Sequence, residues 1–287
     1  MSNQTTSVIH AALRSPGVTG HVKPRLVVAG ATGALGSEVL RRLAGHGHYA
    51  HTEVLAKEPI KTGLPSVSMV LFGDGSANEK IENWPTLPLA AQVAVVMFEP
   101  PRLYYDRERA LWTPRPEQLL PLAQWLRRCG VHTLAVVMPH AQGRLPDAIK
   151  SGLANLDEHA VAALGFERML LVRSAQKMTT PAASGFLNRT AAWMLSTLSY
   201  MIPQTEQAVR PSRLAEFVEV ALRVLPPGTH VASPELLWRA ANAADGLKNS
   251  AVNGNIHTVV KAWLDTREDA RLKQNQGKAE SIPLPAS

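Results

Sequence analysis

Arg25-Leu26-Val27-Val28-Ala29-Gly30-Ala31-Thr32-Gly33-Ala34-Leu35-Gly36 is the stretch that decides the fold. Leu26 to Ala29 is a short apolar run, the pattern of a strand buried on both faces of a parallel sheet. Three glycines follow at the spacing Gly-x-x-Gly-x-x-Gly. Leu35, Val39, Leu40 and Leu43 then repeat at helical spacing, and Gly45 and Gly47 stop the helix. In a strand-turn-helix unit of this kind the first glycine permits the tight turn, the second lets backbone approach a pyrophosphate, and the third lets helix and strand pack closely. The helix start offers unpaired N–H groups and a positive dipole end to the phosphates. The expected ligand is a dinucleotide, held by Gly30, Thr32, Gly33, Ala34, Leu35 and Gly36. No Gly-Lys-Ser/Thr ending is present, which excludes a P-loop nucleotidase.

Working outward, strand and helix signals alternate. Glu53 to Ala56, Val67 to Phe72, Gln92 to Phe98, Thr133 to Met138 and Met169 to Val172 read as further strands. Glu117 to Arg128 reads as a helix, and Asp147 to Leu164 as one long helix with Ile149, Leu153, Leu156, Ala160 and Leu164 inward. The alternation predicts a doubly wound parallel α/β sheet, a Rossmann fold, with a small C-terminal lobe. Ser184 to Tyr200 reads as helical. Leu214, Phe217, Val218, Ala221, Leu222 and Leu225 mark another amphipathic helix, followed by a short strand at Thr229 to Ala232 and a helix at Pro234 to Ala241. The expected organisation is a flexible arm at 1–23, a Rossmann domain at 24–241 with its substrate-side lobe from residue 175 or so, and an extension at 242–287. That extension holds one helix, Ile256 to Arg267, and a mobile tail.

Composition narrows the function classes. Lys plus Arg number 30 against 23 for Asp plus Glu, a formal charge of +7. The basic residues are scattered, which suits solubility and local anion sites rather than a nucleic-acid face. Aromatic residues make up 5%, too few for stacking platforms on single strands. The single cysteine, Cys129, excludes an internal disulfide and a cysteine-cluster zinc site, and it reads as a packed small residue. The first residues lack the apolar segment of a secretory signal, and no run of about 18 apolar residues exists. A cytoplasmic protein, without nucleic-acid or membrane partners, is the expectation.

The end of the second strand bears on the cofactor. An acidic residue there would bond a free ribose 2′-hydroxyl. Leu55-Ala56-Lys57-Glu58 offers Lys57 to a 2′-phosphate, so NADP(H) is favoured over NAD(H), although Glu58 pulls the other way.

The loop Gly30-Ala31-Thr32-Gly33-Ala34-Leu35-Gly36 resembles that of the short-chain dehydrogenase/reductase superfamily, in its extended and atypical branches such as NmrA-like and Tat-interacting-protein-like NAD(P)-binding proteins. Gly130-Val131 before the fifth strand, Glu158 to Arg173, and residues 211–241 extend the resemblance over roughly 25–241. The resemblance implies a Ser or Thr after the fifth strand and a Tyr-x-x-x-Lys on the next helix. Here Met138-Pro139-His140 follows that strand, and the Tyr and Lys positions fall on Lys150 and Ala154. The usual proton relay is therefore missing, since no tyrosine stands on that helix for a lysine to lower its pKa.

Substitute chemistry has few sources. His140 lies past the fifth strand and is a candidate acid or base. Lys150 is a candidate electrophile or proton donor. Glu99, after the fourth strand, borders the expected cofactor, and Tyr104 or Tyr105 could supply a phenol. His46, His48 and His51 cluster in a loop with no acidic ligand beside them, so no metal site is expected. No Gly-x-Ser-x-Gly elbow is present. Three readings follow: an NAD(P)(H)-binding protein in a structural, sensing or regulatory role; an NADPH-dependent reductase of a small carbonyl or unsaturated compound; or a partner-binding subunit with an empty pocket, joining a protein partner or a second copy through its C-terminal region.

Overall fold

The computed structural model describes residues 23–61, 63–64, 66–71, 80–86, 91–139, 146–173, 209–245 and 255–266. His140, the expected helix at Ser184 to Tyr200, nearly all of the N-terminal arm and the tail lie outside these residues.

Seven parallel strands form one sheet. They are β1 Arg25–Ala29, β2 His51–Ala56, β3 Val67–Leu71, β4 Val93–Met97, β5 Thr133–Val137, β6 Arg168–Val172 and β7 Gly228–Ala232. Their order is β3-β2-β1-β4-β5-β6-β7, that of a doubly wound Rossmann sheet. Val28 sits beside Val54 on one side and Val95 on the other. The strands carry so few polar residues because helices cover both faces. β2 begins two residues before the predicted start: the register pairs His51 with Arg25 and Thr52 with Leu26.

Alternate strand residues feed two cores. Leu26, Val28, Val54, Val95 and Val137 face helix α1, Gly33–Gly45, which buries Leu35, Val39 and Leu43. A later helix, Pro211–Val224, packs beside α1 and adds Leu214, Phe217, Val218 and Ala221 to this core. On the other face Val27, Ala29, Val96, Leu134 and Val136 meet α3, Leu119–Arg128, with Leu122, Trp125 and Leu126 fully buried. Between β4 and α3 lies α2, the single turn Asp106–Arg109.

One expected element is two. The run 147–164 divides into α4, Asp147–Ala154, and α5, Glu158–Ala162. Asp157 explains the break: its carboxylate accepts the Ala160 amide at 2.8 Å, starting a new helix. Within α4, Gly152 faces the turn before α3 so closely that a Cβ would stand 2.9 Å from Pro116. The Pro211–Val224 helix is α6. After β7 come α7, Pro234–Asp245, and α8 at 256–266, which buries Ile256, Val260 and Leu264 in the first core. Among the described residues no helix is long and apolar enough to cross a membrane.

Candidate functional site

β1 and β4 are neighbours in the sheet, and the chain leaves them in opposite directions, toward β2 on one side and β5 on the other. Such a reversal opens a crevice at the C-terminal strand ends, where open α/β sheets bind ligands. The glycine loop leaves β1 at this crevice, and Glu99 follows β4.

The loop has a shape that side chains would destroy. Gly30 has φ +76°, and a Cβ there would lie 2.0 Å from the Met97 carbonyl oxygen. At Gly36 a Cβ would lie 2.5 Å from the Gly30 carbonyl oxygen, so helix α1 is pressed directly onto the turn. Thr32 is fully buried; its hydroxyl donates to the Glu99 carbonyl at 2.5 Å and lies 2.9 Å from the Thr113 hydroxyl.

The amides of this cradle are already bonded. A carboxylate oxygen of Glu99 accepts the Leu35 amide at 2.6 Å, and the Ala34 amide also bonds this carboxylate. The Glu99 side chain runs over Gly33, where a Cβ would meet it at 2.4 Å. Glu108, on α2, accepts the Gly33 amide at 3.0 Å and the Ser37 hydroxyl at 3.1 Å. Arg102 holds Glu108 from the far side, with its backbone amide at 2.9 Å, its Nε at 2.8 Å and a terminal guanidinium nitrogen closer still. Two carboxylates of the chain thus stand at the amides that the sequence assigns to a pyrophosphate.

The same connection also fills the space between the loop and β2. Leu111 forms an antiparallel bridge with Ala56. The Trp112 amide donates to Leu55 O at 3.0 Å, the Lys57 amide to Ala110 O at 2.8 Å, and the Gly30 amide to Trp112 O at 3.1 Å. Residues 99–113 therefore form a strap that runs from the end of β4, over the glycine loop, to the end of β2. Leu111 and Ala110 are buried at its base, while Leu103, Tyr104 and Tyr105 are exposed at its tip. The Arg102 guanidinium stacks on the Tyr105 ring, 3.8 Å from its centre.

The two carboxylates differ electrostatically. Burial raises the Glu99 pKa above the ordinary glutamate value, with the Glu108 charge adding to the rise, and the loop amides and Arg102 only partly oppose it. Burial also disfavours the charge on Glu108, but hydrogen bonds from Arg102 and from the Gly33 amide outweigh it and hold that pKa below the ordinary value. The charge of Glu108 is favoured by its partners, and that of Glu99 is disfavoured by burial.

The other sequence candidates lie apart from this cluster or outside the described residues. Lys57 is exposed at the end of β2, with its backbone tied to the strap. Lys150 sits on α4, paired with the exposed Asp147 at 3.0 Å. Met138 and Pro139 are buried at the end of β5, and His140 is beyond the described residues. Cys129 is buried and caps α3. The loop histidines have an acidic neighbour that their spacing did not reveal. Glu219 of α6, 6% exposed, stands 3.2 Å from both His46 and His48, and Arg42 bonds the same carboxylate at 3.1 Å. This ion-paired hub ties the end of α1 to α6.

Sequence reasoning missed Glu108, Arg102, Ser37 and Thr113. A signal was present: Pro100, Pro101, Pro114 and Pro116 brace both ends of the connection, and proline restricts a loop toward one path.

No protein-family model matches the chain, and no curated relative is found. Among solved structures it is similar to the Citrobacter sp. triphenylmethane reductase complexed with NADP(H), at 13% identity and TM-score 0.39, over 83% of this chain and 88% of that one. It is also similar to uronate dehydrogenase from Agrobacterium tumefaciens, at 14% identity and TM-score 0.41, over 92% and 91%. These likenesses are remote, and the fold assignment rests on the strand order of the sheet.

Proposed function

We propose that this chain is an NAD(P)(H)-binding protein of atypical short-chain dehydrogenase type, which senses or regulates rather than turning over a substrate. The observation that carries this reading is a phosphate loop of the right shape whose amides are held by Glu99 and Glu108. A dehydrogenase between turnovers presents such amides to its cofactor; here a ligand must first change the state of the chain. The missing relay agrees with it, since Met138, Pro139, Lys150 and Ala154 stand where a hydroxyl, a phenol and a lysine would be needed. Exposed Lys57 supports NADP(H) over NAD(H) through its positive charge at the end of β2.

The test is a titration of the purified protein with NADPH and NADH, read by tryptophan fluorescence. Trp112 lies in the strap, its ring edge-on to Trp84 with 5.1 Å between centres, so strap movement changes its surroundings. The expected result is a saturable response, stronger for NADPH, with no cofactor oxidation against a panel of carbonyl compounds. Turnover that disappears in His140→Ala would replace this reading by the reductase. A second reading has support of its own. The closed crevice and the exposed Leu103, Tyr104 and Tyr105 suit a partner-binding subunit, and it takes over if neither nucleotide gives a response.

A further inference from the structure

The strap has a function of its own at this site, and the inference rests on reading the glycine loop as a dinucleotide site. We propose that Glu99 is an intramolecular competitor for the phosphate cradle, so that residues 99–113 keep the crevice shut until a nucleotide pyrophosphate displaces the carboxylate.

Three observations support this. First, Glu99 imitates the ligand. Its carboxylate takes the Leu35 and Ala34 amides at the start of α1, and its side chain occupies the space over Gly33 that the absent Cβ leaves open. An anion at that position gains from the helix dipole whether it is a carboxylate or a phosphate. Second, the two carboxylates are not equally held. Glu108 is bonded by Arg102, Ser37 and Gly33, and it is almost completely buried. The described partners of the Glu99 carboxylate are loop amides alone, which a phosphate oxygen satisfies equally well. Glu99 is the latch and Glu108 holds the strap's own turn together. Third, the strap crosses the rest of the same ligand path. Leu111 and Trp112 lie against the end of β2, where the ribose of a dinucleotide would sit, and Trp112 bonds the Gly30 amide. One ligand cannot use the cradle and the β2 end without moving the whole segment. The tip carries Leu103, Tyr104 and Tyr105 in solvent, whereas lifting the base uncovers Ala110 and Leu111, a cost that the nucleotide's contacts must offset.

Binding in this scheme is an exchange of anions on the same donors, with no covalent step. It couples nucleotide occupancy to the position of the strap, and the displaced tip is the part a partner would read.

The decisive experiment compares NADPH and NADH binding to the full chain and to Glu99→Ala by calorimetry, with circular dichroism melts to establish folding. The expected result is affinity about tenfold or more tighter in Glu99→Ala, because the competitor is gone. Glu99→Gln, which keeps the size and loses the charge, falls between the two and serves as the second variant if the alanine protein does not fold. Equal affinity in the native chain and a folded variant overturns the competitor and leaves the dinucleotide reading standing. Binding by neither protein, with both folded, overturns the dinucleotide reading as well. A measurement on the native chain alone checks the coupling. Amide hydrogen exchange at Trp112 and Lys57, bonded across the strap base, should accelerate when NADPH saturates; unchanged protection in a nucleotide-bound protein means that the strap does not lift.

Discussion

The C-terminal ends of β1 and β5 lie two strands apart on one edge of the sheet, and they differ in what the chain builds there. At β1 the loop shape is complete, down to contacts that exclude a Cβ at Gly30 and Gly36. At β5 the chain continues through buried Met138 and Pro139, which carry no hydroxyl, and α4 carries Lys150 and Ala154. The difference is one of material. The glycine turn is made of backbone, so it shares its geometry with the packing of α1 on β1 and cannot be changed without harming the fold. A proton relay is made of side chains that the core does not need, so it can vanish at little cost in stability.

The comparison can be broken most directly at Gly30. Gly30→Ala forces a Cβ onto the Met97 carbonyl at a positive φ, and it should cost about 2–5 kcal/mol in denaturant unfolding. A loss within experimental error would mean that the loop shape is not tied to the fold. Next comes Glu108→Ala, which leaves Arg102 and the Gly33 amide without their acceptor. Arg102 is partly exposed, so the expected loss is about 1–2 kcal/mol by thermal melts rather than that of a fully buried pair. Acidification then separates the two carboxylates by sign. Glu108, with a lowered pKa, contributes stability that is present above the ordinary glutamate range and lost as pH falls through its folded value. Glu99, with a raised pKa, does the reverse: its contribution declines as pH rises from the ordinary value through the raised one. Glu99→Gln should therefore melt higher relative to the native chain at about pH 7 than at about pH 4, and Glu108→Gln should show the opposite trend. The smallest effect belongs to the β5 side. Lys150→Ala removes an exposed pair with Asp147 and should change stability by less than about 0.5 kcal/mol, with nucleotide affinity unaltered in the same titration. A clear loss of affinity there would return Lys150 to the site.

Much of this was legible in the chain itself. The run Leu26 to Ala29 and the glycine spacing identify β1, the turn and α1, because burial on both faces and a positive φ leave few residue choices. The apolar runs at β4, β5 and β6 are legible for the same reason. The long helix from Asp147 was misread because its apolar positions keep helical spacing across Asn155 to Asp157, while Asp157 caps a new helix. The strap was illegible for a different reason. Its residues obey no period, and Glu99 and Glu108 acquire their roles only when β4 brings them to a loop some 70 residues earlier in the chain. The sequence places Glu99 beside the expected cofactor, and the structure bonds its carboxylate to the Leu35 amide. Likewise Glu219 meets His46 and His48 only because α6 returns to pack on α1.

The strap's attachment has a thermodynamic consequence. A ligand that binds only the folded state stabilises it in proportion to the logarithm of its concentration, so a cofactor-dependent fold weakens when the cofactor is scarce. Here the anion on the cradle is tethered to β4 by a handful of bonds, at an effective concentration that short linkers set at about millimolar or above. The contact of Glu99 with the Leu35 amide comes with the fold itself, so it is present at any nucleotide concentration. On the proposal above, a nucleotide arriving from solution competes with that internal concentration, which raises the nucleotide concentration needed to occupy the loop.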